Sequence, residues 1–102
     1  MAESFERLAE RAKAGWADDT RRVYEAATAV FESEVEQRAR LGATLADVRH
    51  ERGLTQVELS ELTGIQQAEI SRIERGVGNP TTTTLLRLSG ALGRRLELVS
   101  LD

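Results

Sequence analysis

The residues able to do chemistry are few, and their types decide between catalysis and recognition. The chain has no cysteine and one histidine, His50. Disulfides, thiolate metal sites and cysteine nucleophiles are thereby excluded, and little remains for a metal cluster or a nucleophile–base pair. Asp18 and Asp19 are adjacent, but consecutive residues on a helix point apart, so they read as helix-start acids rather than as catalytic carboxylates. His50 lies between Arg49 and Glu51 and reads as an exposed side chain. No glycine-rich phosphate loop is present. Neither an enzyme nor a cofactor is expected. The informative set is Gln67, Ala68, Ser71, Arg72 and Arg75, in which positions 68, 71, 72 and 75 share one face of a helix. Glutamine can bond bidentately to adenine, arginine to guanine, and alanine can meet a thymine methyl. Such a face is small and polar enough to enter a major groove.

That face needs elements to hold it. Thr55-Gln56-Val57-Glu58 has the form of a capping box, and it starts a helix whose amino end, at Gln56, can meet a phosphate. Leu59 and Leu62 supply its expected inward face, and Gly64 breaks it after two turns. A second short helix follows, with Ile65, Ile70 and Ile73 turned in against those leucines, and ends at Gly76. Two short helices joined through Gly64 make a helix-turn-helix candidate. After the loop Val77-Gly78-Asn79-Pro80, Thr81 is the expected N-cap of a helix carrying Leu85, Leu86, Leu88 and Leu92, closed by Gly93.

Upstream, the spacing predicts a short helix over about 3–14, ended by Gly15, and another over about 18–40 with Val23, Ala27, Val30, Phe31 and Val35 at helical intervals. The stripe resumes at Leu41, Leu45 and Val48 and stops at Gly53. Periodicity leaves open whether 18–52 is one helix or two broken near Gly42. The last residues, RRLELVSLD, alternate in part and read as a short strand.

A length of 102 residues suits one modest core. The net charge of −3 argues against a protein that simply coats nucleic acid, but the charge is uneven. Residues 1–40 hold seven basic and nine acidic groups, whereas residues 66–95 carry Arg72, Arg75, Arg87, Arg94 and Arg95 against Glu69 and Glu74. Thirteen of the fourteen basic residues are arginine, the side chain suited to forked contacts with phosphate or guanine. Arg75, Arg94 and Arg95 read equally as phosphate contacts or as solubilising charge. No apolar run approaches the ~20 residues of a membrane helix, and the opening MAESFERLAE has no apolar signal region. A cytoplasmic protein without membrane contact is expected.

The segment TQVELSELTGIQQAEISRIERGVGNPTTTTLLRLSGALG resembles the helix-turn-helix of the phage-repressor/Cro class, the XRE family. The Gln after the capping Thr, the Gly at the turn, the ISRIERG ending and the NP loop before LLRLSGALG carry the resemblance, which covers about residues 41–93. It implies a buried structural ion pair between Arg49 and Glu74, a phosphate contact for Gln56, and a DNA-binding surface of Gln66, Gln67, Ala68, Ser71, Arg72 and Arg75, in which Gln67, Ala68 and Arg72 are expected to read bases and Arg75 to hold register on phosphate. Two positions depart from the pattern. Gln66 stands where a Ser or Thr cap is usual, which predicts a less firmly started recognition helix, and Ser60 replaces a small alanine of nearly its size.

A helical extension, the repressor-type domain and a terminal ALGRRLELVSL segment together resemble HigA-type antitoxins, with HipB-type antitoxins as an alternative. The HigA resemblance implies a dimer that represses its own operon and masks a RelE/HigB-like ribonuclease toxin. The expected fold is all-α: a lambda-repressor-like helix-turn-helix bundle at 41–93, a helical N-terminal extension at 1–40 and a short C-terminal β-strand at 94–102. Trp16, Tyr24 and Phe31 read either as core or as anchors for a protein partner. Leu96, Leu98 and Val99 lie on a strand whose backbone needs pairing, expected from a second copy in a homodimer. The expected partners are double-stranded operator DNA and a co-encoded toxin. A stand-alone XRE-family repressor, or a helical interaction module without DNA binding, are the rival readings.

Overall fold

The computed structural model describes residues 4–101, with the side chains of residues 5, 6 and 12–16 outside that description. Four helices follow in order: α1 Phe5–Glu51, α2 Gln56–Thr63, α3 Gln67–Glu74 and α4 Thr82–Ala91. The chain divides into two compact units, Met1–Glu34 and Val35–Asp102.

The upstream helices expected over 3–14 and 18–40, and the segment up to Gly53, are one element, because α1 continues through Gly15 and Gly42. A glycine inside a helix costs only about 0.5–1 kcal/mol relative to alanine, which is a penalty and not a stop. Gly42 is needed for a different reason. A Cβ there would collide with the carbonyl oxygen of Ile73 and come within 2.9 Å of that of Glu74. The missing side chain lets the carboxyl end of α3 lie against α1.

In the second unit the buried core is Leu45, Leu59, Ile65, Ile70, Ile73, Leu88 and Leu92, with Leu41, Val48, Leu54 and Leu85 packed against it. All four helices thus contribute to one apolar centre. Each fully buried leucine or isoleucine contributes on the order of 1.5–3 kcal/mol.

Two expected core residues are not in it: Leu62 is 64% exposed and Leu86 54%. On α2 the inward face pairs Leu59 with Thr63, four residues on, and Thr63 is buried. Its hydroxyl donates to the Leu59 carbonyl (2.7 Å), which satisfies the polar atom and leaves Leu62 on the solvent side. On α4, Leu85, Leu88 and Leu92 follow the i, i+3, i+7 pattern, and Leu86 is a residue off that stripe.

The C-terminal strand is a correction. Residues 94–101 are neither helix nor strand. A strand exists through ladder hydrogen bonds to a neighbour, and among the described residues no second extended segment lies beside this one. Leu98 is fully exposed and Val99 79% exposed.

Within the first unit, Asp18 and Asp19 are not helix-start acids, because α1 begins at Phe5 and carries them in its interior; there they form the surface i,i+3 ion pairs Arg21–Asp18 (3.1 Å) and Arg22–Asp19 (3.2 Å). Val23, Tyr24, Val30 and Phe31 are all more than 60% exposed.

Candidate nucleic-acid interface

The amino end of α2 is built by the capping box. The Thr55 hydroxyl accepts from the Glu58 amide (3.0 Å), and the Glu58 carboxylate accepts from the Thr55 amide (3.0 Å). These reciprocal bonds satisfy two orphan donors and fix Gln56 as the first helical residue.

The turn to α3 requires Gly64. It sits at φ 73°, ψ 7°, with its amide donating to the Ser60 carbonyl (2.8 Å), a left-handed conformation that costs glycine nothing. The Ser60 hydroxyl donates to the Ile65 carbonyl (2.5 Å) and the Ile65 amide donates to the Thr63 hydroxyl (3.3 Å). Ser60 is therefore more than a tolerated replacement for alanine. Its hydroxyl spans the turn, a role that residue size did not reveal.

Ile70 and Ile73 anchor α3 in the core, and this orients the opposite face. Gln67, Ala68, Arg72 and Arg75 are exposed, and Ser71 is half-buried. Gln66 is the N-cap and makes no side-chain capping bond, as its departure from the Ser/Thr pattern predicts, so its exposed side chain is not occupied by capping. Arg75 Nε donates to the Ser71 carbonyl (3.3 Å), which sets its guanidinium over the end of the helix.

Behind this face lies a buried ion pair. Arg49 Nε donates to Glu74 Oε2 (2.7 Å) and Arg49 Nη2 to Glu74 Oε1 (2.8 Å), a bidentate fork, while Arg49 Nη1 donates to the Leu54 carbonyl (2.8 Å). Both side chains are less than 10% exposed. Burial alone would raise the Glu74 pKa, but hydrogen bonds from Arg49 and Gln56, with the charges of Arg49 and His50, overcome this and hold it below the usual carboxylate value. The hydrogen bond to Glu74 raises Arg49 further, against the opposing effect of burial.

The pair is linked outward. Gln56 Nε2 donates to Glu74 Oε1 (3.0 Å), and Gln67 Nε2 donates to Gln56 Oε1 (3.3 Å). A chain Arg49–Glu74–Gln56–Gln67 thus runs from the core to the first residue of α3. The Gln56–Gln67 link was not foreseen; its signal was two glutamines, each opening a short helix.

Among the other candidates, Arg94 lies 3.5 Å from Glu51 and Arg95 3.9 Å from Glu97. Tyr24 and Phe31 are exposed, and the Trp16 side chain lies outside the described residues. Leu96, Leu98 and Val99 lie on the exposed segment after α4. Among the described residues there is no group of His, Cys, Asp and Glu fit to hold a metal, and no helix is long and apolar enough to cross a membrane.

Comparison with known proteins places these features in context. Residues 45–99 match the family model described as Helix-turn-helix, HTH_3. An uncharacterized HTH-type transcriptional regulator, y4dJ, of Sinorhizobium fredii is 42% identical over 67 residues, which is 65% of this chain and 87% of its own length. The clp gene regulator ClgR of Corynebacterium glutamicum is similar in structure, with a TM-score of 0.55 and 33% identity over 57% of this chain and 62% of its own. A chain of the HipA-HipB-O2-O3 complex is also similar, with a TM-score of 0.57 and 32% identity over 64% of this chain and 92% of its own.

Proposed function

The chain belongs to the helix-turn-helix family whose model it matches, a family of DNA-binding regulators rather than enzymes, and on that footing we propose that it is an operator-binding repressor and the antitoxin of a toxin–antitoxin pair. As a homodimer it sets two α3 helices in successive major grooves, about 34 Å apart. Gln66, Gln67, Ala68, Ser71 and Arg72 face the bases, while Gln56 and Arg75 hold register on phosphates. The observation that carries the DNA-binding part is the exposed α3 face tied through Gln56 and Glu74 to the core. A side chain held in place before binding loses less freedom on binding.

The antitoxin part rests on the first unit. Its exposed Val23, Tyr24, Val30 and Phe31 lie among Asp18, Asp19, Glu25, Glu32 and Glu34, against only Arg21 and Arg22. An apolar stripe within an acidic surround suits a basic protein partner such as a ribonuclease toxin. Trp16 belongs to the same proposal on sequence grounds. Leu96, Leu98 and Val99 are the proposed dimer contact, each copy supplying the other with a pairing partner. A HipB-type antitoxin is a second reading, supported by the similarity to a chain of the HipA-HipB-O2-O3 complex, and a stand-alone repressor is a third.

A mobility shift on the chain's own upstream region at two salt concentrations tests DNA binding: the complex must weaken as salt rises, because phosphate contacts release counterions. Co-purification with the co-encoded neighbour tests the antitoxin role. The wild type should retain that protein and the double variant Tyr24→Ala, Phe31→Ala should lose it. Equal retention removes this face from the proposal.

A further inference from the structure

The geometry points to Glu74 as a positioning residue for base reading: its carboxylate fixes which way round the amides of Gln56 and Gln67 stand, and so which atoms Gln67 offers to a base. The inference rests on the DNA-binding reading above and deepens it, giving a part in selectivity to a side chain that the buried ion pair otherwise assigns to stability alone. Glu74 ends α3 and Gln67 begins it. The connection between them runs through Gln56, the first residue of α2.

An ionised carboxylate accepts hydrogen bonds and donates none. Burial opposes the ionisation of Glu74, but hydrogen bonds from Arg49 and Gln56 hold its pKa below the usual carboxylate value, so it carries no proton near neutrality. Arg49 meets one oxygen through Nε and the other through Nη2. Gln56 Nε2 then donates to Oε1 at 3.0 Å. The reverse orientation of that amide would set its own oxygen against Glu74 Oε1, two acceptors with no proton between them. Gln56 is therefore held with its nitrogen inward and its oxygen outward.

Gln67 is fixed in turn. Gln56 Oε1 accepts from Gln67 Nε2 at 3.3 Å, and a reversed Gln67 would again bring oxygen against oxygen. A carboxamide nitrogen carries two N–H groups. One stays on Gln56, and the second, with Gln67 Oε1, is left for a ligand. That donor and acceptor match N7 and the N6 amino group of adenine. Glu74 is buried, Gln56 half-buried and Gln67 exposed, so the orientation is set in the core and delivered at the surface. In Glu74→Gln the new amide can accept from Gln56 or donate to it. Both orientations of Gln56, and then of Gln67, become available, and a reversed Gln67 presents an N–H where adenine also has a donor.

The test is competition binding by the full-length protein on duplexes of its own upstream region, each base pair varied in turn. Wild type is compared with Gln67→Ala, Gln56→Ala, Glu74→Gln and the double variant Gln56→Ala, Glu74→Gln. The base pair whose preference Gln67→Ala relaxes is the one Gln67 reads. At that pair Glu74→Gln should cut the preference roughly threefold to tenfold, while the preference that Arg72→Ala relaxes stays as in wild type. In the Gln56→Ala background Glu74→Gln should change the preference no further. Preferences left intact by Glu74→Gln, with at most a loss spread evenly over all duplexes, are what a merely structural Glu74 produces and overturn the inference. A further change in the Gln56→Ala background overturns it too. If Glu74→Gln does not fold, NMR of the free wild type decides. Gln56 should show one side-chain N–H proton shifted downfield by the carboxylate and protected from exchange; two ordinary, freely exchanging protons overturn the inference. Wild type that binds no duplex, or Gln67→Ala with every preference intact, overturns instead the DNA reading beneath it.

Discussion

Gln56 and Gln67, each the first residue of a short helix, are joined amide to amide at 3.3 Å, and the same Gln56 reaches back to Glu74 at 3.0 Å. The first turn of α3 is thus oriented by a side chain on α2 before any ligand arrives. Replacing Gln67 by Ala should cost about 1–3 kcal/mol of operator binding and relax discrimination at one base pair. Replacing Gln56 by Ala should weaken binding through both its own contact and the loosened Gln67. The double variant should then lose less than the two singles together, with a coupling of at least about 0.5 kcal/mol. Additive losses in the binding isotherms would show that the link has no energetic meaning.

Arg72 and Arg75 separate by role. Arg72→Ala should cost about 1–3 kcal/mol and relax specificity at a single position, whereas Arg75→Ala should weaken all duplexes alike and lower the salt slope by about one. Competition among operator variants and a salt titration check both. Unchanged discrimination by Arg72→Ala removes it from base reading.

The Arg49–Glu74 pair should dominate the response of stability to acid. Glu74 is held below the ordinary carboxylate value, so the pair's contribution is complete above about pH 4.3 and is lost as pH falls through the lowered value. Urea midpoints of the wild type should therefore hold steady near neutrality and fall only in acid. Arg49→Met should cost about 3–5 kcal/mol, because it strands a buried carboxylate. Glu74→Gln should start lower at neutral pH and fall less in acid. A midpoint that drops equally in both proteins places the acid-sensitive group elsewhere.

Two glycines should respond with opposite signs. Gly42→Ala drives a methyl into the Ile73 and Glu74 carbonyls and should destabilise by at least about 1–3 kcal/mol. Gly90, inside α4, would meet nothing within 4 Å, so Gly90→Ala should stabilise by about 0.5–1 kcal/mol. Thermal unfolding of both variants decides the matter. A stable Gly42→Ala protein would mean that α1 and α3 are not in such close approach.

Local chemistry was legible in the residues alone. The Thr55–Glu58 box, the Gly64 turn, the Thr81 cap and the isoleucine anchors of α3 rest on interactions within a few positions of one another, which sequence spacing encodes directly. Tertiary packing decided the rest. Whether α1 breaks at Gly15 or Gly42 depends on what lies against it, and at Gly42 that is the end of a helix thirty residues away. Leu62 and Leu86 are as apolar as their buried neighbours, and only the direction from which the other helices approach leaves them outside. The segment 94–101 alternates like a strand, but pairing is a property of two segments and the described chain supplies one. The route from Arg49 through Glu74 and Gln56 to Gln67 spans α1, α2 and α3, so it exists only once all three have folded against one another.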